Sequence, residues 1–191
     1  MKKIGLTGGI GTGKSTVGKI LSILGFPVFN SDKEAKRIMT DDPTIKKDIQ
    51  NLLGDHAYMG EELNRAYVAQ SIFSDPELKE KLNQIVHPAV RKEFNRFAAK
   101  AKTPLVFNEA AILFETGAYK NFDAVILVTA DENIRVKRLK GRDGSTDEQI
   151  RDRIKNQWEE SKKLNLTDYI IYNNENDLLV PQVEKIIGKL L

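Results

Sequence analysis

The chain has 191 residues, of which 40% are hydrophobic and 30% charged, and its formal net charge is +3. This composition is typical of a globular protein with one core, or with one core and an inserted subdomain. The absence of cysteine and the presence of only two histidines exclude disulfides and thiolate metal sites and argue against structural zinc. The charge is too small to indicate a nucleic-acid partner. The N-terminal apolar run is too short for a signal peptide, and no stretch reaches the ~20 apolar residues of a membrane span, so we expect a cytoplasmic protein.

The first predicted elements alternate between strand and helix. An apolar run at 3–7 predicts a buried strand, 14–24 predicts a helix with one apolar face, and 26–29 predicts a second strand. The segment 32–102 is different, because it is charged and poor in strand-forming residues, and we expect a helical insertion there. Within it, Ser74-Asp75-Pro76-Glu77 predicts a helix start with a cap, an N1 proline and a capping-box glutamate. Pro88 should then kink or break that helix.

Strand character returns in the second half of the chain. The runs 104–108 and 123–129 predict strands, and the second is apolar enough for a central strand covered on both faces. A helix is expected at 131–139, and the capping box at 145–148 should open a charged helix that reaches residue 163. A last strand at 169–172 and a closing helix at 177–191 follow. Strands that alternate with helices predict an α/β fold with a parallel sheet.

Residues 8–15, Gly-Gly-Ile-Gly-Thr-Gly-Lys-Ser, match the phosphate-binding pattern G-x-x-x-x-G-K-[ST] at every defined position. Glycines allow successive N–H groups to turn inward toward phosphate oxygens, and the start of the next helix adds further donors. Lys14 can reach the β- and γ-phosphates, and Ser15 can offer its hydroxyl to Mg²⁺. A chance match is the alternative, but the position between a predicted strand and a predicted helix favours function. The guanine-reading N-K-x-D motif is absent, so the pattern favours a small ATP-dependent kinase over a GTPase.

Two acidic residues follow predicted strands, where ligands bind in open α/β sheets. Asp32 follows the second strand and could accept the proton of an acceptor hydroxyl or help to hold Mg²⁺. It could equally serve as a helix N-cap. Glu109 ends the third strand and could orient metal-bound water, or it could be an ordinary surface carboxylate.

A basic group on the helix after 131 offers a second set of candidates. Arg135, Arg138 and Arg142 could neutralise phosphate charge in the transition state, with Gly141 and Gly144 as hinges of a lid. A solvated basic helix is the alternative, and it is the commoner fate of such a run.

Several motifs in order resemble the dephospho-CoA kinase family over essentially the whole chain. They are residues 4–16, Asn30-Ser31-Asp32, the segment 82–90 around His87-Pro88, residues 112–115, Arg138-Leu139, Arg142-Asp143-Gly144, Gln157, Asp168 and Asn173. Two positions depart from the family pattern. Asn30 stands where the family usually has aspartate, and Glu109-Ala110-Ala111 replaces an acidic residue followed by x-Pro.

The resemblance implies transfer of the γ-phosphate of ATP to the 3′-hydroxyl of dephospho-CoA, with Mg²⁺ as cofactor. It implies a three-layer P-loop kinase fold with a five-stranded parallel sheet. The expected domains are a core at 1–31, 103–130 and 164–191, a helical acceptor-binding domain at 32–102, and a helical lid at 131–163. The expected partners are ATP and dephospho-CoA, with no nucleic acid and no membrane, and the chain should be a monomer or weak homo-oligomer.

The resemblance also assigns site residues, some of them to two roles. The catalytic set is Asp32, Lys14 and Arg142. The ATP-binding set is Gly9, Gly11, Thr12, Gly13, Lys14, Ser15, Thr16, Arg138, Arg142 and Asn173. The acceptor-binding set is Thr7, Asp32, His87 and Glu109, and Mg²⁺ is expected on Ser15 with Asp32 as a further ligand. The alternatives are another small-molecule kinase, with a nucleoside, nucleotide or shikimate-like acceptor, or a non-enzymatic nucleotide-binding switch.

Overall fold

The computed structural model describes residues 1–73 and 75–191 and divides them into two compact units. The core unit is Met1–Asn30 with Lys100–Leu191, and the helical unit is Ser31–Ala99. In chain order the elements are β1 (Lys2–Gly8), α1 (Lys14–Ile23), β2 (Val28–Asn30), α2 (Ser31–Asp41), α3 (Pro43–Leu53), β3 (Tyr58–Met59), β4 (Glu62–Leu63), α4 (Arg65–Phe73), α5 (Pro76–Lys100), β5 (Leu105–Glu109), β6 (Ala124–Thr129), α6 (Glu132–Asp143), α7 (Asp147–Lys155), α8 (Glu160–Leu164), β7 (Tyr169–Tyr172) and α9 (Leu179–Leu190). Short 3₁₀ helices cover Asp55–Ala57 and Ala118–Asn121.

The core unit contains a five-stranded parallel sheet in the order β2-β5-β1-β6-β7. The predicted α/β fold with a five-stranded parallel sheet and flanking helices is therefore confirmed. The strand β1 is central, and Ile4 lies opposite Phe107 of β5 and Ala124 of β6. Because all five strands run the same way, their carboxyl ends share one edge, where ligands bind in sheets of this kind.

Both faces of the sheet are covered, which explains the unbroken apolar run of β6. Ala124, Ile126 and Val128 face a cluster that includes side chains of α1 and α9. Val125 and Leu127 face the opposite side, in a cluster with Phe114, Tyr119, Phe122, Trp158 and Leu164. This alternation follows from the two-residue period of a strand.

The break that was one alternative at Pro88 is absent, because α5 runs continuously from Pro76 to Lys100. Proline removes one backbone hydrogen bond, but packing on both sides of it holds this helix together. The buried face consists of Leu82, Val86, Val90, Phe94 and Ala98. The helix starts where Asp75 Oδ1 accepts a hydrogen bond of 2.9 Å from the Leu78 N–H. Ser74, part of the predicted start signal, lies outside the described residues.

Two further differences concern short elements. The helical unit contains an antiparallel hairpin formed by β3 and β4, which the sequence did not predict. The charged helix expected to reach residue 163 is interrupted, and α7 and α8 are separate. At the interruption the Trp158 N–H donates to Glu115 Oε1 at 3.2 Å instead of continuing a helix. A tertiary contact has thus replaced a helical hydrogen bond.

The helices of residues 1–73 and 75–191 include none with the length and apolar character needed to cross a bilayer.

Candidate active site

The phosphate loop leaves the central strand β1 and leads into α1. Gly11 and Gly13 have φ values of +80° and +90°, in the left-handed region that glycine adopts without strain. At Gly8, a Cβ atom would lie 2.5 Å from the Val128 carbonyl oxygen, so this position also requires glycine. Inside the loop, the Thr12 N–H and Oγ1 both donate to the Gly9 carbonyl, at 3.3 and 2.9 Å. The local sequence therefore gives a tight turn that ends on the N-terminus of a ten-residue helix, a favourable anion site.

Glu109, the last residue of β5, holds the end of this loop. Its Oε1 accepts a hydrogen bond of 2.6 Å from Ser15 Oγ and lies 3.4 Å from Lys14 Nζ. The residue is only 5% exposed, so the interpretation as an ordinary surface carboxylate is wrong. The strand register carries Glu109 to this position, because β5 pairs directly with β1. One carboxylate thus contacts both side chains that the sequence pattern assigns to phosphate and Mg²⁺.

Asn173 holds the middle of the loop from the end of β7. Its Nδ2 donates to the Thr12 carbonyl at 2.8 Å, and its own backbone N–H donates to the Thr129 carbonyl at 2.9 Å. Arg138 Nη2 donates to Asn173 Oδ1 at 3.4 Å. These contacts connect Asn173 to the loop, and its predicted place near adenine stays a prediction. Arg138 Nη1 is buried and has no hydrogen-bond partner among the described residues, which leaves a donor beside the loop.

Arg135 and Gln157 bind the start of the loop. Arg135 is only 7% exposed, and its Nε donates to the Ile10 carbonyl at 2.9 Å. Burial lowers the pKa of Arg135, while the carboxylates of Glu160 and Glu132 act in the opposite direction. Gln157 Oε1 accepts a hydrogen bond of 2.9 Å from the Ile10 N–H.

The sequence did not predict that these two residues bind the loop backbone. Arg135 was one of three arginines that could neutralise phosphate charge, and Gln157 was one position of a family motif. One signal could have found them. Gly9 is a glycine that the phosphate-loop pattern does not require, and such a glycine indicates that another group approaches the backbone closely.

The remaining predicted residues of the core unit lie at different distances from this centre. The Thr7 hydroxyl is buried and has no hydrogen-bond partner within the described part of the chain. Thr16 lies exposed in the first turn of α1. The helix α6 extends beyond the predicted end at residue 139 and includes residue 142, so Arg138 and Arg142, four residues apart, lie on one helix. Arg142 itself is exposed and binds Asp143 at 2.6 Å, a hydrogen bond that raises the pKa of the guanidinium.

Two predicted residues, Asp32 and His87, belong to the helical unit. Asp32 lies in the first turn of α2, and His87 lies half-buried on α5. Burial lowers the pKa of His87, and the charge of Glu80 opposes this shift. The structure therefore brings together the predicted loop residues, Glu109, Arg138 and Asn173 in one unit, and it holds Asp32 and His87 in the other.

The oxygen donors at the loop fit a magnesium ion. Mg²⁺ prefers oxygen ligands and commonly uses one or two protein groups, with phosphates and water completing its shell. The Ser15 hydroxyl and the Glu109 carboxylate are two such groups, 2.6 Å apart. No group of three or more His, Asp or Glu side chains able to hold a metal exists within residues 1–73 and 75–191, so an all-protein cage is not formed there.

Comparison with known proteins connects this site to one family. A sequence model described as dephospho-CoA kinase matches residues 2–178. The dephospho-CoA kinase of Porphyromonas gingivalis is 40% identical over 188 residues, covering 98% of this chain and 93% of the relative. That of Bacteroides fragilis is 35% identical over 189 residues, covering 98% and 92%.

Solved structures agree with the sequence comparison. A crystal structure from Thermus thermophilus superimposes with a TM-score of 0.90 at 32% identity, covering all of this chain and 97% of that one. The dephospho-CoA kinase from Campylobacter jejuni gives 0.70 at 26% identity, covering 98% and 96%. A shikimate kinase from Acinetobacter baumannii, at 0.58 and 18% identity, shares the fold.

Proposed function

The chain belongs to the dephospho-CoA kinase family, and we propose on that basis that it transfers the γ-phosphate of ATP to the 3′-hydroxyl of dephospho-CoA, giving coenzyme A. The observation that carries this proposal is the family match over residues 2–178. The phosphate loop accounts for ATP but does not name the acceptor, and the family match supplies the acceptor.

The loop would bind the triphosphate through charges and backbone donors. The N-terminus of α1 would provide backbone donors and Lys14 a positive charge, and Arg138 Nη1, which has no hydrogen-bond partner among the described residues, offers one more donor. Phosphoryl transfer passes through a loose transition state, so positioning and electrostatic stabilisation supply most of the catalysis. The attachment of the loop to Asn173 suits that requirement.

Ser15 and Glu109 would hold Mg²⁺, which when bound would neutralise charge on the phosphate oxygens. The two residues already share a hydrogen bond, so their oxygens face one another at the start of α1. Lys14 Nζ lies 3.4 Å from the same carboxylate and would keep a positive charge at this end of the loop.

Asp32 is the proposed group that orients the acceptor hydroxyl and accepts its proton. This assignment rests on the family motif and on chain position, because Asp32 follows β2 by two residues. General-base assistance contributes about 10²- to 10⁴-fold to a rate. His87 and Thr7 are further proposed contacts of the acceptor.

The role of Asp32 is tested by Asp32→Asn. We expect kcat to fall by about 10²- to 10⁴-fold while ATP affinity stays at the parental value. The matched control is Glu34→Gln, which removes a carboxylate from the same first turn of α2 and should leave turnover unchanged. Parental turnover in Asp32→Asn would show that another group orients the hydroxyl.

The acceptor is tested by ADP release with Mg·ATP and one acceptor at a time. Dephospho-CoA, a nucleoside monophosphate and shikimate are offered to the parent protein, and only dephospho-CoA should support turnover. Turnover with a different acceptor alone would replace the proposed reaction. ATP binding without turnover on any acceptor would favour a nucleotide-binding switch.

A further inference from the structure

One residue of the phosphate loop, Ile10, is contacted through its N–H, its carbonyl and its side chain by the segment from α6 to α8. Its N–H donates to Gln157 Oε1 and its carbonyl accepts from Arg135 Nε, both at 2.9 Å. Its side chain packs against a buried cluster of Val136, Leu139 and Ile150, together with Ile154. We call the two hydrogen bonds the Ile10 clamp.

The clamp fits only because residue 9 is glycine. A Cβ atom there would lie 2.7 Å from Arg135 Nη2 and 3.3 Å from Gln157 Oε1. A Cβ atom essentially never lies within 3.0 Å of a non-bonded heavy atom in real structures, so a side chain at residue 9 would displace the Arg135 guanidinium. The phosphate-binding pattern leaves this position open, so Gly9 serves the clamp and not the pattern.

The clamp fixes two successive peptide planes. A trans peptide is flat and places its N–H and C=O on opposite sides. Because Gln157 holds the Ile10 N–H, the Gly9 carbonyl must point the other way, and it accepts two hydrogen bonds from Thr12 inside the loop. By the same geometry, the bond from Arg135 to the Ile10 carbonyl turns the Gly11 N–H away from Arg135.

Charge burial shows that the arrangement is specific. Arg135 is 7% exposed, and a buried cation is costly unless it is paired and hydrogen-bonded. The nearby Glu160, which accepts a hydrogen bond from Thr129 Oγ1, supplies negative charge near the guanidinium. The Arg135 guanidinium thus has a hydrogen bond to the Ile10 carbonyl and a nearby negative charge from Glu160.

We propose that Arg135 and Gln157 are positioning residues that set the phosphate-binding conformation of the loop by fixing the two peptides around Ile10. They act through Ile10 and do not touch the nucleotide. The proposal rests on the proposed use of ATP at this loop, but not on the identity of the acceptor.

The test is calorimetric binding of ATP and of inorganic tripolyphosphate, a probe that can use only the phosphate site. Arg135→Gln and Gln157→Leu should each weaken both ligands about tenfold, which corresponds to about 1.4 kcal/mol. The double variant should be hardly weaker than either single one, because both residues hold the same residue, Ile10, and losing either bond already releases it. The KM for dephospho-CoA should not change. Lys137→Gln is the matched control, since it removes an exposed charge of α6 that pairs with Glu175.

Two more variants test the proposal if Arg135→Gln or Gln157→Leu unfolds the protein. Gly9→Ala keeps Arg135 and Gln157 in the sequence but displaces their side chains. It should weaken the binding of both ligands by the same tenfold, about 1.4 kcal/mol. Arg135→Lys keeps the charge but not the geometry of Nε, and it should not restore binding.

Three results would overturn the proposal. They are parental binding in Arg135→Lys, a loss for ATP without a loss for tripolyphosphate, and a loss of folding stability with parental binding of both ligands. Failure of the proposed function looks different. If the parent protein binds tripolyphosphate, the clamp variants weaken that binding, and dephospho-CoA is not phosphorylated, then the proposed function is wrong but the role of the clamp is supported.

Discussion

Substitution of Gly13 by alanine tests how the loop is held in its conformation. Gly13 has a φ of +90°, and a Cβ atom there would overlap Asn173 Nδ2. That nitrogen donates the buried 2.8 Å hydrogen bond to the Thr12 carbonyl. Gly13→Ala therefore combines backbone strain with the displacement of Asn173.

Gly25 allows these two effects to be separated. Its φ is +87°, close to that of Gly13, but no heavy atom of the described residues lies within 4 Å of its Cβ position. Gly25→Ala should thus report strain alone, about 1–2 kcal/mol for an L-residue in the left-handed region. Gly13→Ala adds a lost hydrogen bond and an unsatisfied carbonyl, about 1–2 kcal/mol more. We expect total losses in unfolding free energy of about 1–2 kcal/mol for Gly25→Ala and about 2–4 kcal/mol for Gly13→Ala.

The assay is urea unfolding followed by the fluorescence of Trp158, the only tryptophan, which packs on the sheet of the same unit. Asn173→Ala removes the obstructing side chain, so the double variant Gly13→Ala/Asn173→Ala should lose about 1 kcal/mol less than the sum of the two single variants. Equal losses for Gly13→Ala and Gly25→Ala would refute the argument. Strict additivity in the double variant would refute the overlap with Asn173.

Three further predictions concern charged side chains. Glu109→Gln removes the negative charge shared by Lys14 and the loop serine, so kcat should fall while ATP still binds, as steady-state kinetics and calorimetry would show. Burial lowers the pKa of His87 in the folded state. As pH falls, the His87 imidazole is therefore protonated in the unfolded chain before it is protonated in the folded protein. The protein should therefore lose stability below about pH 6.5, the unfolded value. Urea unfolding should show a smaller loss in His87→Gln. Lys163→Met removes the cation that lies 2.7 Å from the partly buried carboxylate of Glu115, which should destabilise by about 2 kcal/mol, and Glu115→Gln in the same chain should recover part of this.

The sheet and the phosphate loop could be predicted from the sequence because their signals are local. The apolar run of β6 has no polar interruption, since both of its faces are covered. The loop pattern lies within eight consecutive residues and is flanked by a strand and a helix. Neither inference needed information from distant parts of the chain.

The remaining features depend on contacts between distant residues. Pro88 suggests a break on local grounds, but the buried face of α5 extends on both sides of it and holds the helix together. The interruption between α7 and α8 depends on Glu115, which lies 43 residues before Trp158. The partners of the loop are even more distant, because Glu109 is 94 residues from Ser15 and Gln157 is 147 residues from Ile10.

These contacts fall into two groups. One group holds backbone atoms of the loop, and the other holds the side chains of Lys14 and Ser15. Asn173 and Arg135 donate to the carbonyls of Thr12 and Ile10, which cannot donate to a phosphate, and Gln157 accepts from the Ile10 N–H. On the proposed function these bonds would stay in place when ATP binds. Glu109 is different, because it contacts Lys14 and Ser15, the two groups proposed to bind the phosphates and Mg²⁺. On that proposal its carboxylate would share these partners or give them up.

On the proposed function, the Ile10 clamp and Asn173 would set where the phosphates lie, while the Glu109 carboxylate would set how readily Lys14 turns toward them. It follows that substitutions in the Ile10 clamp and at Glu109 should act on different quantities. Loss of the clamp weakens phosphate binding, because the loop donors lose their preset orientation. Loss of the carboxylate acts mainly on turnover, because it changes the charge that surrounds the transferring phosphate.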